Sequence, residues 1–259
     1  MTEALFNRLV QNLTVNPNDP KTLEALEPYR AKRAIYLAAG FGSRMLPLTR
    51  RLPKPLIKVH GTRLIDTSIN ACLSAGIKEI YIVRGYLAES FDSLLEKYPM
   101  IKFIDNPEYD KANNIGSAVK ACHLFENAYV FEADLLIKNP KIIQLYHYQS
   151  DVLGIWMKHS DDWVLMPDSE GCVSEEKETG DDCYQMVGIY YWNKIDARRL
   201  QSHLVDAFSS ESGRNMYWET VPNQLHQGEY KIKIRPCLAS DVVEIDTYDE
   251  LKAIDPSYR

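Results

Sequence analysis

The apolar positions change rhythm near residue 30. Ahead of that point Leu5, Leu9 and Leu13 recur at helical spacing, and Asp19-Pro20 offers an N-cap followed by proline at the first helical position. Residues 1–30 therefore read as a short helical N-terminal extension, set off by Pro28. Beyond it, Ala34-Ile35-Tyr36-Leu37-Ala38-Ala39 is a continuous apolar run stopped by Gly40, the pattern of a strand buried on both faces. Ile65, Ile69, Cys72 and Leu73 then share one face of a helix over about 64–75, which Gly76 closes. Strand patterns recur at 79–83, 101–105, 129–133, 152–157 and 186–192, with helical patterns at 87–97 and 116–125. Alternation of this kind predicts βαβ units: an α/β fold whose mostly parallel, Rossmann-like sheet carries helices on both faces. The acidic stretch from Asp161 to Asp182 has turn signals at Pro167-Asp168 and Glu170-Gly171 and predicts a hairpin or flap outside the core. Helices over about 195–209 and 216–226, strands near 230–236 and 241–246 and a short last helix complete the reading. No repeat or linker interrupts residues 31–259, so they form one domain behind the extension, which is expected to pack on that domain or on a second subunit of a homodimer.

Composition narrows the class. The 259 residues are 45% hydrophobic and 25% charged, which are globular proportions. The longest apolar run is far below the roughly 20 residues a membrane-spanning helix needs. Met1 to Arg8 has neither the basic start nor the apolar centre of a secretory signal, so a cytoplasmic location without membrane insertion is expected. The five cysteines are scattered with no Cys-x-x-Cys pair, and no His-x-x-x-His pair occurs, so reduced thiols and no soft-metal site are expected. A net charge of −6 argues against nucleic acid as a partner. The charge is unevenly spread, however. No acidic residue lies between Glu27 and Asp66, while Arg30, Lys32, Arg33, Arg44, Arg50, Arg51, Lys54, Lys58 and Arg63 all do. An acidic chain with one purely basic segment points to a local anion site.

That segment contains Leu37-Ala38-Ala39-Gly40-Phe41-Gly42-Ser43-Arg44-Met45, then Pro53-Lys54-Pro55. A dinucleotide fingerprint would need glycine where Met45 stands, and a Walker loop would need Gly-Lys-Ser/Thr, which is absent. What remains is a glycine turn at the carboxyl end of a buried strand, where backbone N–H groups can approach a phosphate. Arg44 and Lys54 follow, the lysine stiffened by its flanking prolines.

The run Leu-Ala-Ala-Gly-x-Gly-Ser-Arg-Met-x-Pro-Leu-Thr with Pro-Lys-Pro-Leu resembles the signature of the sugar-phosphate nucleotidyltransferase superfamily. Within it, the chain is similar to bacterial choline-phosphate cytidylyltransferases from about Arg33 to Ile254. Gly85-Tyr86, Asn113-Asn114, Glu132-Ala133-Asp134, Trp163, Tyr217-Trp218-Glu219 and Glu244-Ile245-Asp246 carry that likeness. The resemblance implies a nucleotidyltransferase fold of GT-A-like type and a Mg²⁺-dependent transfer of CMP from CTP to phosphocholine, giving CDP-choline and pyrophosphate. It assigns the nucleotide to Leu37, Ala38, Ala39, Gly40, Phe41, Gly42 and Ser43, with Gly85, Tyr86, Asn113, Asn114 and Ser117 at base and ribose.

Asp134 and Asp246 each end an apolar run, so both are expected at the carboxyl edge of the sheet, where they supply the hard oxygen ligands Mg²⁺ prefers. The resemblance implies the same two metal ligands. A phosphomonoester dianion is already a competent nucleophile, so catalysis reduces to alignment and charge neutralisation. Lys54 is expected to neutralise charge developing at the α-phosphorus and Arg44 to hold the departing phosphates.

For the acceptor, a quaternary ammonium calls for aromatic faces and carboxylates, and Trp163, Tyr191, Trp192, Tyr217, Trp218 and Glu219 are available. The resemblance puts Trp163, Tyr217 and Glu219 at the choline end. Successive helical residues point about 100° apart, so Tyr217 is expected to face the ligand and Trp218 the core. Lys158, following the strand at 152–157, is the expected partner of the acceptor phosphate. Sugar-transferring relatives carry Glu-Lys-Pro in mid-chain, where this sequence reads Glu176-Lys177-Glu178. A sugar 1-phosphate or another amino-alcohol phosphate remains the alternative acceptor, and a catalytically idle nucleotide-binding regulator the alternative class. The residues alone do not separate CTP from UTP.

Overall fold

The computed structural model describes residues 1–258. Helices α1 (Glu3–Val15) and α2 (Pro20–Leu26) precede strand β1 (Arg33–Leu37). A loop of 3-10 turns leads to a small hairpin, β2 (Lys58–Val59) and β3 (Thr62–Arg63), then to α3 (Leu64–Ser74), β4 (Glu79–Arg84), β5 (Lys102–Asp105), α4 (Ile115–Ala121), β6 (Ala128–Glu132) and β7 (Leu135–Ile137). The second half contains β8 (Asp151–Ser160), β9 (Val164–Pro167), β10 (Val173–Lys177), β11 (Gly180–Trp192), α5 (Lys194–Phe208), α6 (Glu211–Arg214), β12 (Lys233–Cys237), β13 (Val242–Glu244) and α7 (Tyr248–Ile254).

The α/β expectation holds, and alternation along the strands explains it. On β1, Ala34 and Tyr36 enter one core while Ile35 enters the other. β6 divides the same way, Tyr129 and Phe131 on one side and Ala128 and Val130 on the other. Helix α3 covers the first face through Ile65, Ile69 and Cys72, and α4 and α5 cover the second through Ile115, Ala118, Leu200 and Leu204. Burial on both faces is what makes these strands read as unbroken apolar runs.

The parallel heart of the sheet has the order β5-β4-β1-β6. The chain runs outward from β1 through β4 to β5, then returns to the far side of β1 to lay down β6. Between β1 and β6 the order reverses, and in open α/β sheets ligands bind outside the carboxyl ends of strands at such a point. Register sharpens this, because Leu37 lies opposite both Val83 and Glu132, so the loops after β1, β4 and β6 start at one level.

Antiparallel β11 pairs with β6 and extends the sheet to β9, β10 and β8. The acidic stretch forms the β9–β10 hairpin its turn signals predict, but not outside the core, because Val164 and Leu165 of β9 are fully buried and Leu165 packs into the second core. Two helical expectations change. Residues 88–94 wind as 3-10 turns rather than α-helix, in a stretch where Ser90, Asp92 and Ser93 compete for the backbone and the Ser93 hydroxyl donates to the Ser90 carbonyl. Over 216–226 the helix is replaced by a turn and a single π turn, Val221–Leu225, in which Pro222 lacks the N–H of a regular helix. The N-terminal helices dock through Phe6, whose ring lies 5.3 Å from Tyr29 and 5.7 Å from Tyr148. Among the described residues all five cysteines are buried and free, and no helix is long and apolar enough to cross a membrane.

Candidate active site

The loop after β1 turns at Gly42, whose φ of +61° is a left-handed conformation. A Cβ there would come within 3.0 Å of the Lys54 Cβ, so the glycine also lets the lysine backbone close on the turn. Lys54 opens a 3-10 turn behind Pro53, and its side chain is almost fully buried. It points into a cavity of about 250 Å³ lined by Leu37, Ala38, Gly40, Gly42, Ser43, Arg44, Lys54, Pro55, Ala133, Asp134 and Asp246.

One charge network organises that cavity. The Lys54 ammonium donates to Asp134 Oδ2 and to Asp246 Oδ1, each at 2.7 Å, and the Arg44 guanidinium donates to the same Asp246 oxygen at 2.9 Å. Burial by itself would lower the Lys54 pKa, but the two carboxylates outweigh it and raise the pKa above the ordinary value, keeping the lysine charged. The aspartates are brought together by a two-stranded antiparallel ladder, β7 with β13. Asp246 is free to serve because Thr247, not Asp246, caps α7. A capping box links Thr247 to Glu250, and the Glu250 carboxylate also accepts the Asp246 backbone N–H at 2.7 Å.

Glu132 and Glu244 are the last residues of β6 and β13, each two residues before one of the aspartates. One carboxylate oxygen from each of Glu132, Asp134 and Glu244 falls within 4.8 Å of the others. Asp134 Oδ1 is buried and has no partner. This set of hard oxygens with an orphaned acceptor fits a magnesium ion. Burial, followed by repulsion from Asp134, pushes the Glu244 carboxyl up to about 10.

A second cavity shares Arg44 and Asp246 with the first and runs on to Glu132, Asp162, Trp163, Glu176, Met186, Gly188, Tyr217, Glu219 and Glu244. The Trp163 and Tyr217 rings meet edge to face at 6.0 Å and form its aromatic wall. Six of its lining residues are carboxylates, and Arg44 is the one basic residue in the lining. Burial raises Glu219 to about 7, and burial followed by repulsion from Glu219 holds Glu132 well above the usual carboxylate range. Asn114 holds these two together, its Nδ2 donating to Glu132 Oε1 and Glu219 Oε2 at 3.3 Å each while its Oδ1 accepts from the Trp218 backbone.

The structure sorts the expected residues. Arg44, Lys54, Asp134 and Asp246 converge, as do Leu37, Ala38, Gly40, Gly42 and Ser43. Ala39 is buried beneath the turn. Phe41 lies outside the lining and packs tilted against Tyr86 and edge to face against Tyr109, ring centroids 5.0 and 5.1 Å apart, making an aromatic patch beside the cavity. Gly85 lies directly under Tyr109, where a Cβ would come within 2.6 Å of that side chain. Asn113 and Ser117 are engaged elsewhere, with Arg214, Asn215 and Asn106. Asn114 lines neither cavity and instead braces Glu132 and Glu219, which line the second. Trp163, Tyr217 and Glu219 line the second cavity, while Tyr191, Trp192 and Trp218 are fully buried in the core. Lys158 lies outside both linings, paired with Asp182 at 2.8 Å on the exposed arm. The sequence assigns no role to Glu132, Asp162, Glu176, Glu244 or Tyr109, although Glu132 and Glu244 stand in the segments that carry the resemblance. Spacing of two from each aspartate could have found the first and fourth of these.

With this geometry in place, likeness to known proteins is informative. A family model described as nucleotidyl transferase matches residues 33–235. A 2-aminoethylphosphonate cytidylyltransferase of Lancefieldella rimae is 40% identical over 228 residues, covering 87% of this chain and 92% of that protein. A choline-phosphate cytidylyltransferase of Streptococcus pneumoniae is 26% identical over 235 residues, covering 86% of this chain and 96% of its own length. A solved structure of CTP:phosphocholine cytidylyltransferase from Streptococcus pneumoniae superposes with a TM-score of 0.79 at 25% identity, covering 89% of this chain and 100% of that one.

Proposed function

The chain belongs to the nucleotidyl transferase family, and from that premise we propose that it transfers CMP from CTP to a small phosphonate or phosphate carrying a protonated amine, with release of pyrophosphate. The observation that carries this reading is the pair of adjoining cavities. One offers a glycine turn, Arg44 and Lys54 to a triphosphate, and the other offers carboxylates and two aromatic rings to a cationic head. A sugar 1-phosphate brings no cation to balance this concentration of carboxylates. The choice of cytidine is supported by the names of the relatives, and the Phe41, Tyr86 and Tyr109 patch offers a stacking surface for a base.

An acceptor oxygen attacks the α-phosphorus as the bond from that phosphorus to the β-bridging oxygen breaks, and pyrophosphate leaves with the electron pair. The acceptor dianion needs no general base. Lys54, held charged between two carboxylates, neutralises the oxygens of the reacting phosphoryl group, and Arg44 at the wall between the cavities steadies the leaving phosphates. Asp134, with Glu132 and Glu244 clustered beside it and Asp246 across the Lys54 bridge, would hold Mg²⁺, which when bound supplies further neutralisation of phosphate charge.

A second reading, phosphocholine as acceptor, is favoured by the Trp163 and Tyr217 wall, since aromatic faces suit a quaternary ammonium. Pyrophosphate release measured for the four common nucleoside triphosphates against 2-aminoethylphosphonate, phosphocholine, ethanolamine phosphate and glucose 1-phosphate tests both. Turnover is expected with CTP and amine-bearing acceptors, the primary amines foremost. Release with glucose 1-phosphate alone, or with no combination, contradicts the proposal.

A further inference from the structure

Glu176 is the one buried residue of β10, on a strand whose other side chains are partly or fully exposed. Its carboxyl faces the second cavity at 6% exposure, and Oε2 has no hydrogen-bond partner. Its neighbours among the described residues are Asn223, Tyr190 and Glu219 rather than any lysine or arginine. Glu219 lines the same cavity at 1% exposure and also leaves one oxygen, Oε1, unpartnered. A buried carboxylate with neither a cation nor a full set of donors is costly to the folded chain. Such a cost is explained when a ligand supplies both.

We infer that Glu176 is the specificity-determining residue for the acceptor's head, accepting with Glu219 the N–H groups of a primary ammonium and so selecting it over methylated amines. This rests on the reading of the second cavity as the acceptor site. A primary ammonium brings three N–H donors, enough to complete both orphaned oxygens, and each methyl group added removes one of them. A trimethylammonium brings none and leaves Glu176 Oε2 and Glu219 Oε1 as they stand. Attraction between opposite charges survives methylation. Hydrogen bonding does not, and sites built around a hydrogen bond discriminate far more steeply than sites built on bulk. Trp163 and Tyr217 flank the ethylene chain and the head in either case.

The test is kcat/KM with CTP for 2-aminoethylphosphonate and its N-methyl, N,N-dimethyl and N,N,N-trimethyl forms, in wild type, Glu176→Gln and Glu176→Asp. Wild type is expected to decline along the series. Glu176→Gln should lower the value for the primary amine by roughly thirtyfold or more, the scale on which removing one partner of a buried charge pair is felt, and flatten the series. Glu176→Asp, which keeps the charge, should restore part of the slope, and KM for CTP should stay near wild type in both variants. A misfolded variant would lose CTP binding as well, so the KM for CTP separates recognition from collapse. Wild type that turns over none of the four overturns this inference, and if ethanolamine phosphate is refused as well it overturns the proposed function with it. Wild type that uses all four equally, or a Glu176→Gln variant that keeps the wild-type slope, overturns the inference and leaves cytidylyl transfer standing.

Discussion

Two charged side chains are buried at this site on different terms. Lys54 meets two carboxylates at 2.7 Å, whereas Glu176 meets no cation, and burial lifts its carboxyl to about 7. That difference has a consequence for stability. The folded-state value of Glu176 lies above the roughly 4.3 of an unfolded glutamate, so the folded chain holds the proton more tightly. Its contribution is therefore fully present below the unfolded value and is lost as pH rises through about 7. Glutamine does not titrate, so Glu176→Gln should melt above wild type at pH 8, by about 2–4 °C or more, with the gap closing near pH 5. Melting curves at the two pH values check this, and a variant less stable than wild type at pH 8 would contradict it. Site residues of the first kind are legible in the sequence. Lys54 stands between two prolines in a stretch without acids, and Arg44 follows a glycine turn. Glu176 gave no such signal, because nothing local to Glu176-Lys177-Glu178 says that the β9–β10 hairpin folds back against β11 and turns one glutamate inward.

Among the elements, β11 does the most to shape the acceptor cavity. It pairs with β8 from Gly180 to Tyr191 and through its last four residues with β6 as well, and its register against β8 slips between Met186 and Tyr190. Bulges of this kind bend a strand and often border active sites. Gly188 sits within it at φ +71°, and a Cβ there would lie 2.9 Å from Glu132 Cγ and 3.0 Å from its Oε2. Gly188→Ala is expected to raise KM for the acceptor several-fold and lower the melting temperature while leaving KM for CTP nearly unchanged, since Gly188 lines the second cavity and not the first. Steady-state kinetics with each substrate varied would show it, and a wild-type acceptor KM would remove the bulge from the account of the cavity. Elements of this size mark the limit of sequence reading. The long buried strands declared themselves as apolar runs. The three-residue strands β7 and β13, which bring Asp134 and Asp246 together, are too short for periodicity to detect their pairing, although the aspartates themselves were expected at strand ends.

At the scale of the whole molecule, the parallel strands level three loops at one edge, and β11 with its attached hairpin carries a second wall to that edge. The alternation of strand and helix patterns was enough to foresee the first half of this arrangement. The second half depends on where an antiparallel arm docks, which is a matter of tertiary contact rather than local pattern. The result is one cleft with two compartments divided at Arg44 and Asp246. Under the proposed function, donor and acceptor would be held there at the same time and CMP would pass between them without a covalent stop on the protein. Initial rates of pyrophosphate release over a matrix of CTP and 2-aminoethylphosphonate concentrations test that claim most directly. The double-reciprocal lines are expected to intersect, as they must when both substrates occupy the enzyme before either product leaves. Parallel lines, with pyrophosphate released from CTP before the acceptor binds, would contradict it.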